Sequence, residues 1–299
     1  MIVVPGSSNP LLSLRLAQAL EVELAPVEIR KFPDGEKYLR ITHSLEGETA
    51  VLLQSLAHKP DEYLVELCLL AEAARGAGAS KVIAVIPYLA YARQDARFNP
   101  GEPISLKVVA GLLNSLELDA IVTVDAHLHR LRDLAPFLQV EFIHLSASKS
   151  LAEYFIKEYK FSPNELAIVG PDEESEALVA KAASHVKAEH TVFIKKRLSP
   201  TEVVVTPREE EVVKEKMVLV MDDIISTGGT MAEAAKQCLK LGAKAVYACC
   251  THPILVNGAL TKIYLAGVKS VFASDSVPSP VSCVSIAPLL AECLRRWTR

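Results

Sequence analysis

The sequence predicts an α/β protein of two similar halves, each a mainly parallel sheet flanked by helices. Two observations carry this. Short apolar runs such as Lys81–Ile86, Ala120–Val124 and Met217–Met221 alternate with helical patterns, as strands buried on both faces of a parallel sheet do. The order of features also repeats. Strand Ala167–Val169 with the loop Gly170–Ser175 echoes Lys81–Ile86 with its own long loop, and the strand before Asp222 echoes the strand before Asp125. A length of 299 residues is long for one core and comfortable for two domains. The division is expected at the small polar stretch Ser146–Ser150, between residues 1–146 and 147–299.

Composition narrows the function classes. Half of the residues are hydrophobic and 23% are charged, which suits a globular fold. The net charge of −4 gives no global attraction to nucleic acid or an anionic membrane, so neither is an expected partner. Apolar runs fall short of the roughly 18 residues of a membrane span. The opening MIVVPGSSNP reads as a first strand rather than a signal peptide. Six cysteines without a C-x-x-C spacing are expected as free thiols, mostly buried, in a reducing compartment.

In order, Ile2–Val4 is a strand, and Asn9 caps a helix with Pro10 at its first position. Val27–Arg30 is a half-buried strand, and a second short strand ends at Ile41. Between them Pro33-Asp34-Gly35 is turn chemistry, which leaves Phe32, Asp34 and Glu36 on an exposed tip. An exposed ring between carboxylates can stack on a base and accept from its amino group. Ala50–Leu53 is a strand and Asp61–Gly76 a helix. Strand Lys81–Ile86 runs into a loop bearing Arg93, Gln94, Asp95 and Arg97, where an α/β fold places ligands. Arg93 suits a phosphate and Gln94 a base edge. After helix Ile104–Asn114 and strand Ala120–Val124 come Asp125, Ala126 and His127, with His127 placed to bind a metal or a phosphate oxygen; His129 reads as surface.

In the second half, strand His190–Ile194 leads to a basic turn, Lys195-Lys196-Arg197, and then to a charge-dense stretch, Glu202–Glu215, expected as a mobile lid. Three cations at a strand's end could meet a phosphoryl transition state. Lys216–Thr230 is the organising stretch. A buried strand, Met217–Met221, is followed by Asp222 and Asp223, then Ser226-Thr227-Gly228-Gly229-Thr230 and a helix through Leu241. The glycines allow a tight turn with exposed N–H groups, and the helix start favours an anion. The acids would repel a phosphate but could hold ribose hydroxyls or a magnesium ion. Strand Ala245–Cys250 precedes Thr251-His252-Pro253, and Ala287–Trp297 is an amphipathic tail helix.

These residues carry a family resemblance that spans nearly the whole chain in one register. DDIISTGGT resembles the loop that binds phosphoribosyl diphosphate (PRPP) in type I phosphoribosyltransferases and PRPP synthetases. FPDGE resembles the adenine-binding loop of PRPP synthetases, which reaches the ATP site of a neighbouring subunit. YARQD is similar to that family's ATP-site segment and D-A-H to its D-x-H, whose histidine contacts ATP and its metal. K-x-R resembles its flexible catalytic loop and puts the lysine and arginine at Lys195 and Arg197, with Lys196 as the alternative lysine. Ser226 where aspartate is frequent, ARFNPGEPIS after RQD, and PDEES without paired glycines look more like the archaeal branch than the bacterial one.

The resemblance implies two type I phosphoribosyltransferase-like domains, ATP on the first and ribose-5-phosphate on the second. Phe32, Asp34, Glu36, Arg93, Gln94, Asp95 and His127 would bind ATP. Asp222, Asp223, Ser226, Thr227, Gly228, Gly229 and Thr230 would bind ribose-5-phosphate. Mg2+ would sit on His127 and Asp172. The tail helix, residues 287–299, would pack on the first domain. The expected enzyme makes PRPP and AMP from ribose-5-phosphate and ATP, as a cytoplasmic homo-oligomer, at least a dimer. Rival readings are a phosphoribosyltransferase that consumes PRPP and a non-catalytic PRPP sensor.

Overall fold

The computed structural model describes residues 1–128, 134, 137–197 and 203–298, with 195–197 and 203–205 as backbone. The described chain divides into two compact units, Met1–Leu145 with Ser285–Arg299, and Ser146–Val284.

In the first unit β1 (Ile2–Pro5) leads into α1 (Pro10–Leu20), β2 (Glu23–Leu24), β3 (Val27–Lys31), β4 (Lys37–Ile41) and β5 (Thr49–Leu53). Then come α2 (Pro60–Gly76), β6 (Lys81–Ile86), α3 (Ser105–Asn114), β7 (Ala120–Val124) and β8 (Glu141–Leu145). The strands form an all-parallel sheet in the order β2-β1-β5-β6-β7-β8. β7 and most of β5 and β6 are buried, as their unbroken apolar runs require. Among the described residues β3 and β4 pair only with each other, as an antiparallel hairpin. Asn9 caps α1 as expected, its side chain accepting from Leu12 N–H at 3.2 Å, and Pro10 opens the helix.

The second unit runs α4 (Ser148–Tyr159), β9 (Leu166–Gly170), α5 (Glu176–Val186), β10 (Glu189–Arg197), β11 (Val203–Pro207) and β12 (Met217–Ile225). It continues through α6 (Gly229–Lys240), β13 (Ala245–Pro253), α7 (Ala259–Leu265), β14 (Val268–Ser274) and β15 (Ser282–Val284). Its seven strands lie in the order β11-β10-β9-β12-β13-β14-β15, parallel except for β10–β11. In both units the strand that ends in the acid loop, β7 or β12, neighbours the strand with the long loop, β6 or β9. In this unit Phe155 is fully buried among Tyr159, Phe161, Tyr247 and Phe272, with ring centroids 5.0–5.9 Å away. The tail helix α8 (Ala287–Leu294) belongs to the first unit and packs on α1, where Arg295 donates to Ala19 O at 3.3 Å and Arg296 pairs with Glu141.

Three expectations need correction. Lys195–Arg197 are not a turn: their backbone continues β10 and pairs antiparallel with Val203–Val205. The stretch from Glu202 is not wholly irregular either, because its β-branched run Val203–Pro207 forms β11. And the burial expected of the cysteines holds for Cys238, Cys249 and Cys250, whereas Cys68 and Cys293 are half-buried and Cys283 is exposed; all six are free.

Phe155→Ala is expected to destabilise the chain by about 3–5 kcal/mol, the usual cost of truncating a fully buried phenylalanine. Denaturant unfolding followed by near-ultraviolet circular dichroism, which reports the aromatic cluster, checks it.

Candidate active site

Most of the candidate residues follow the C-terminal ends of the sheet strands, where an α/β fold binds its ligands. In the first unit, the tip between β3 and β4 folds as a tight hairpin. Phe32 N–H donates to Glu36 O at 2.8 Å, Gly35 N–H returns to Phe32 O at 2.9 Å, and Gly35 has φ +98°. Asp34 accepts from Glu36 N–H at 3.2 Å, so one carboxylate shapes the turn. Phe32 is exposed as expected, though not bare: Tyr38 meets its ring edge-on at 5.9 Å and the Arg30 guanidinium lies 5.2 Å from its centroid. A base stacking here would share the ring with a cation.

After β6, Arg93 is exposed while Gln94 and Asp95 are half-buried. The Ser105 hydroxyl donates to Gln94 Oε1, and Gln94 O accepts from Leu106 N–H at 3.2 Å, so the start of α3 orients this glutamine. Beyond β7 the chain makes a strained corner. Asp125 has φ +37°, rare for a residue with a Cβ, and its N–H donates to Leu145 O at 2.9 Å. Ala126 N–H donates to His144 Nε2 at 2.9 Å. This corner presents His127, half-buried. His129 lies outside the described residues.

In the second unit Asp172 opens the turn after β9. Its Oδ1 accepts from Glu174 N–H at 3.1 Å and Ser175 N–H at 3.3 Å, and Ser175 Oγ donates to Asp172 O at 2.7 Å. The carboxylate named as a metal ligand is therefore also a cap. Asp222 and Asp223 were expected beyond the strand and instead lie inside it, since β12 keeps pairing with β13 as far as Ile225 opposite Pro253. Burial, and next the charges of Asp223 and Asp172, push the Asp222 carboxyl well above the usual carboxylate range. Asp223 N–H donates to Asp222 Oδ1 at 2.9 Å. Such crowded carboxylates are a hard-oxygen donor set that suits a divalent cation of the magnesium type. Among the described residues no group of three or more His, Cys, Asp and Glu side chains could hold a metal ion unaided.

The loop Ser226–Thr230 joins β12 to α6, with Gly228 as N-cap at φ +75°. Its carbonyls are tied down from one side. Val256 N–H donates to Ser226 O at 3.0 Å, Lys262 Nζ to Thr227 O at 3.2 Å, and Ala232 N–H to Gly228 O at 3.0 Å. The N–H groups of Gly229 and Thr230 belong to the first turn of α6, where no intrahelical acceptor exists. An anion is what they can bind. Thr227, Gly229 and Thr230 are exposed.

Lys195, Lys196 and Arg197 have their backbone on β10, and their side chains lie outside the described residues. The hairpin root is held by Arg208, which pairs with Glu176 and, at 3.9 Å, with Glu173. His127 and Asp172, named together as metal ligands, stand on separate units. Two contributors were missed in the sequence. Lys262 sits on α7, a seven-residue helix too short to show a period. The Ser274-Asp275-Ser276 end of β14 supports Thr251 and His252: Ser274 Oγ and Ser276 Oγ reach Thr251 O at 2.7 and 2.6 Å, and Ser276 Oγ lies 2.9 Å from His252 Nδ1.

Comparison with known proteins points one way. The family model for the N-terminal domain of ribose phosphate pyrophosphokinase matches residues 1–116, and that for the phosphoribosyl transferase domain matches residues 143–285. A ribose-phosphate pyrophosphokinase of Methanopyrus kandleri is 42% identical over 98% of both chains. Another, from Methanothermobacter thermautotrophicus, is 40% identical over 98% of this chain and 99% of its own. The crystal structure of phosphoribosylpyrophosphate synthetase from Mycobacterium smegmatis superposes with a TM-score of 0.85 at 30% identity, covering 98% of this chain and 97% of that one.

A Cβ at Gly228 would lie 2.8 Å from Ala259 O, whereas one at Gly229 would meet nothing nearer than Thr227 Oγ1 at 4.0 Å. Gly228→Ala is therefore expected to cost about 1–3 kcal/mol of stability through its left-handed backbone and this clash. Gly229→Ala should stay within about 0.5 kcal/mol of the parent. Paired urea denaturation curves test the contrast.

Proposed function

The chain belongs to the ribose-phosphate pyrophosphokinase family, and from that premise we propose that it transfers the diphosphoryl group of Mg-ATP to the anomeric hydroxyl of ribose-5-phosphate, yielding PRPP and AMP for nucleotide biosynthesis. The anomeric hydroxyl attacks the β-phosphorus and gives up its proton to solvent, the bond from that phosphorus to the oxygen bridging it to the α-phosphorus breaks, and AMP leaves. The observation that supports this reading best is the β12–α6 junction, where carboxylates on the strand precede a donor-rich helix start. A sugar phosphate presents hydroxyls to the former and its 5′-phosphate to the latter.

In this reading Ser226–Thr230 take the phosphate, and Asp222 and Asp223 the ribose hydroxyls. The tip residues Phe32, Asp34 and Glu36, with Arg93, Gln94, Asp95 and His127, take ATP. Magnesium on His127 and Asp172 offsets charge on the polyphosphate when bound. Lys195 and Arg197 meet the charge that develops on the non-bridging oxygens and on departing AMP. The working form is a cytoplasmic homo-oligomer of at least two chains in which one chain's tip serves its neighbour's nucleotide. Among the described residues no helix is long and apolar enough to cross a membrane.

AMP is expected to appear from ATP only when ribose-5-phosphate is present, in step with PRPP. A transferase that consumes PRPP would release none, nor would a sensor. This coupled assay is the direct test of the reading.

Lys195→Ala and Arg197→Ala should each lower turnover roughly 10²–10³-fold, the usual loss for one preorganised transition-state contact, with little change in the binding of either substrate. Lys196→Ala should be mild. Single-turnover kinetics with binding measured by calorimetry checks both halves; a severe Lys196→Ala with a silent Lys195→Ala would move the lysine role by one residue.

A further inference from the structure

The β3–β4 hairpin stands outside the main sheet, because its strands pair only with each other. Val27, Leu39 and Ile41 pack on the core near its open end. Nearer the tip, charge holds it to α2. Lys31 Nζ lies 3.0 Å from one oxygen of Glu62, Lys37 Nζ lies 3.3 Å from the other, and Lys37 also pairs with Glu66. The last pair is buried, with the Lys37 side chain 7% exposed and that of Glu66 0%. Glu66 is itself fixed. It accepts from Ser7 N–H at 2.6 Å, Ser7 Oγ at 2.7 Å and Gln54 Nε2 at 2.8 Å, so the β1–α1 turn and the end of β5 both aim it. Lys37 directly follows Glu36, the last residue of the tip.

We propose that Lys37 is a positioning residue for nucleotide binding: its buried ion pair with Glu66 anchors the hairpin and so fixes Phe32, Asp34 and Glu36 before ATP arrives. A buried pair of this kind contributes little net stability against an apolar replacement, yet it selects one geometry. A tip held by its own two strands alone would have to be ordered on binding, at a cost in affinity. The inference rests on the nucleotide role of the tip given above.

The test uses the full chain carrying Lys37→Met and Glu66→Gln together, which removes both charges at similar volume and leaves no unpaired carboxylate. Lys37→Gln alone is a second arm with the same expected direction, and Phe32→Ala is made alongside. Amide hydrogen exchange across residues 27–41 should accelerate about tenfold in the double variant while β5 and β6 stay protected. The KM for ATP should rise roughly five- to tenfold, the cost of ordering one or two side chains, with kcat within about twofold. Phe32→Ala should raise the same KM with hairpin exchange unchanged. Unchanged exchange in both Lys37 variants overturns the anchor. Faster exchange with a parental KM, while Phe32→Ala raises it, overturns the positioning role. A parental KM in Phe32→Ala overturns the nucleotide reading of the tip itself, and the exchange data then still decide the anchor.

Discussion

A parallel strand buried on both faces has nowhere along its length to keep a charge, and that constraint shapes both units. Helices cover the two faces of each sheet, so polar chemistry is confined to the strand ends. The unit of Met1–Leu145 spends those ends on Gln54, Arg93, Asp125 and His127, and the unit of Ser146–Val284 on Asp172, Asp223, Thr251 and Asp275. Two units thus follow the same rule.

Asp222 shows where that constraint is pushed hardest. A carboxyl driven upward by burial and by two neighbouring acids is poor at being charged and good at welcoming whatever relieves the crowding. A divalent cation or hydroxyl donors would do so. The fold tolerates this unfavourable arrangement because β12 is locked between β9 and β13.

Much of this was legible in the residues. Buried strands announced themselves as apolar runs, and Pro33-Asp34-Gly35 marked a hairpin because proline presets one φ and Gly35 accepts the positive φ the turn needs. The DDIISTGGT junction carried its chemistry in its order. What stayed hidden had physical causes. Asp222 and Asp223 break the apolar run of β12, while the backbone, indifferent to side-chain polarity, goes on pairing to Ile225. The charges around Val203–Pro207 masked a strand only five residues long. The partner of Lys37 lies 29 residues away, and only the packing of α2 against the hairpin brings Glu66 to it. Lys262 was silent for the same reason, since its contact to the Thr227 carbonyl exists only once α7 has folded.

β10 has two different neighbours along its length. Glu189–Val192 pair with β9 inside the sheet, and Phe193–Arg197 pair with β11. From Phe193 onward the strand has outgrown the sheet and become one arm of a two-stranded ribbon. Phe193 itself, 1% exposed, is sunk in the core. Arg208, directly after β11, pairs with Glu176 at the start of α5. The basic residues are therefore carried on a strand segment paired with β11, past the end of β9, while the Ser226–Thr230 loop follows a strand paired on both sides over most of its length.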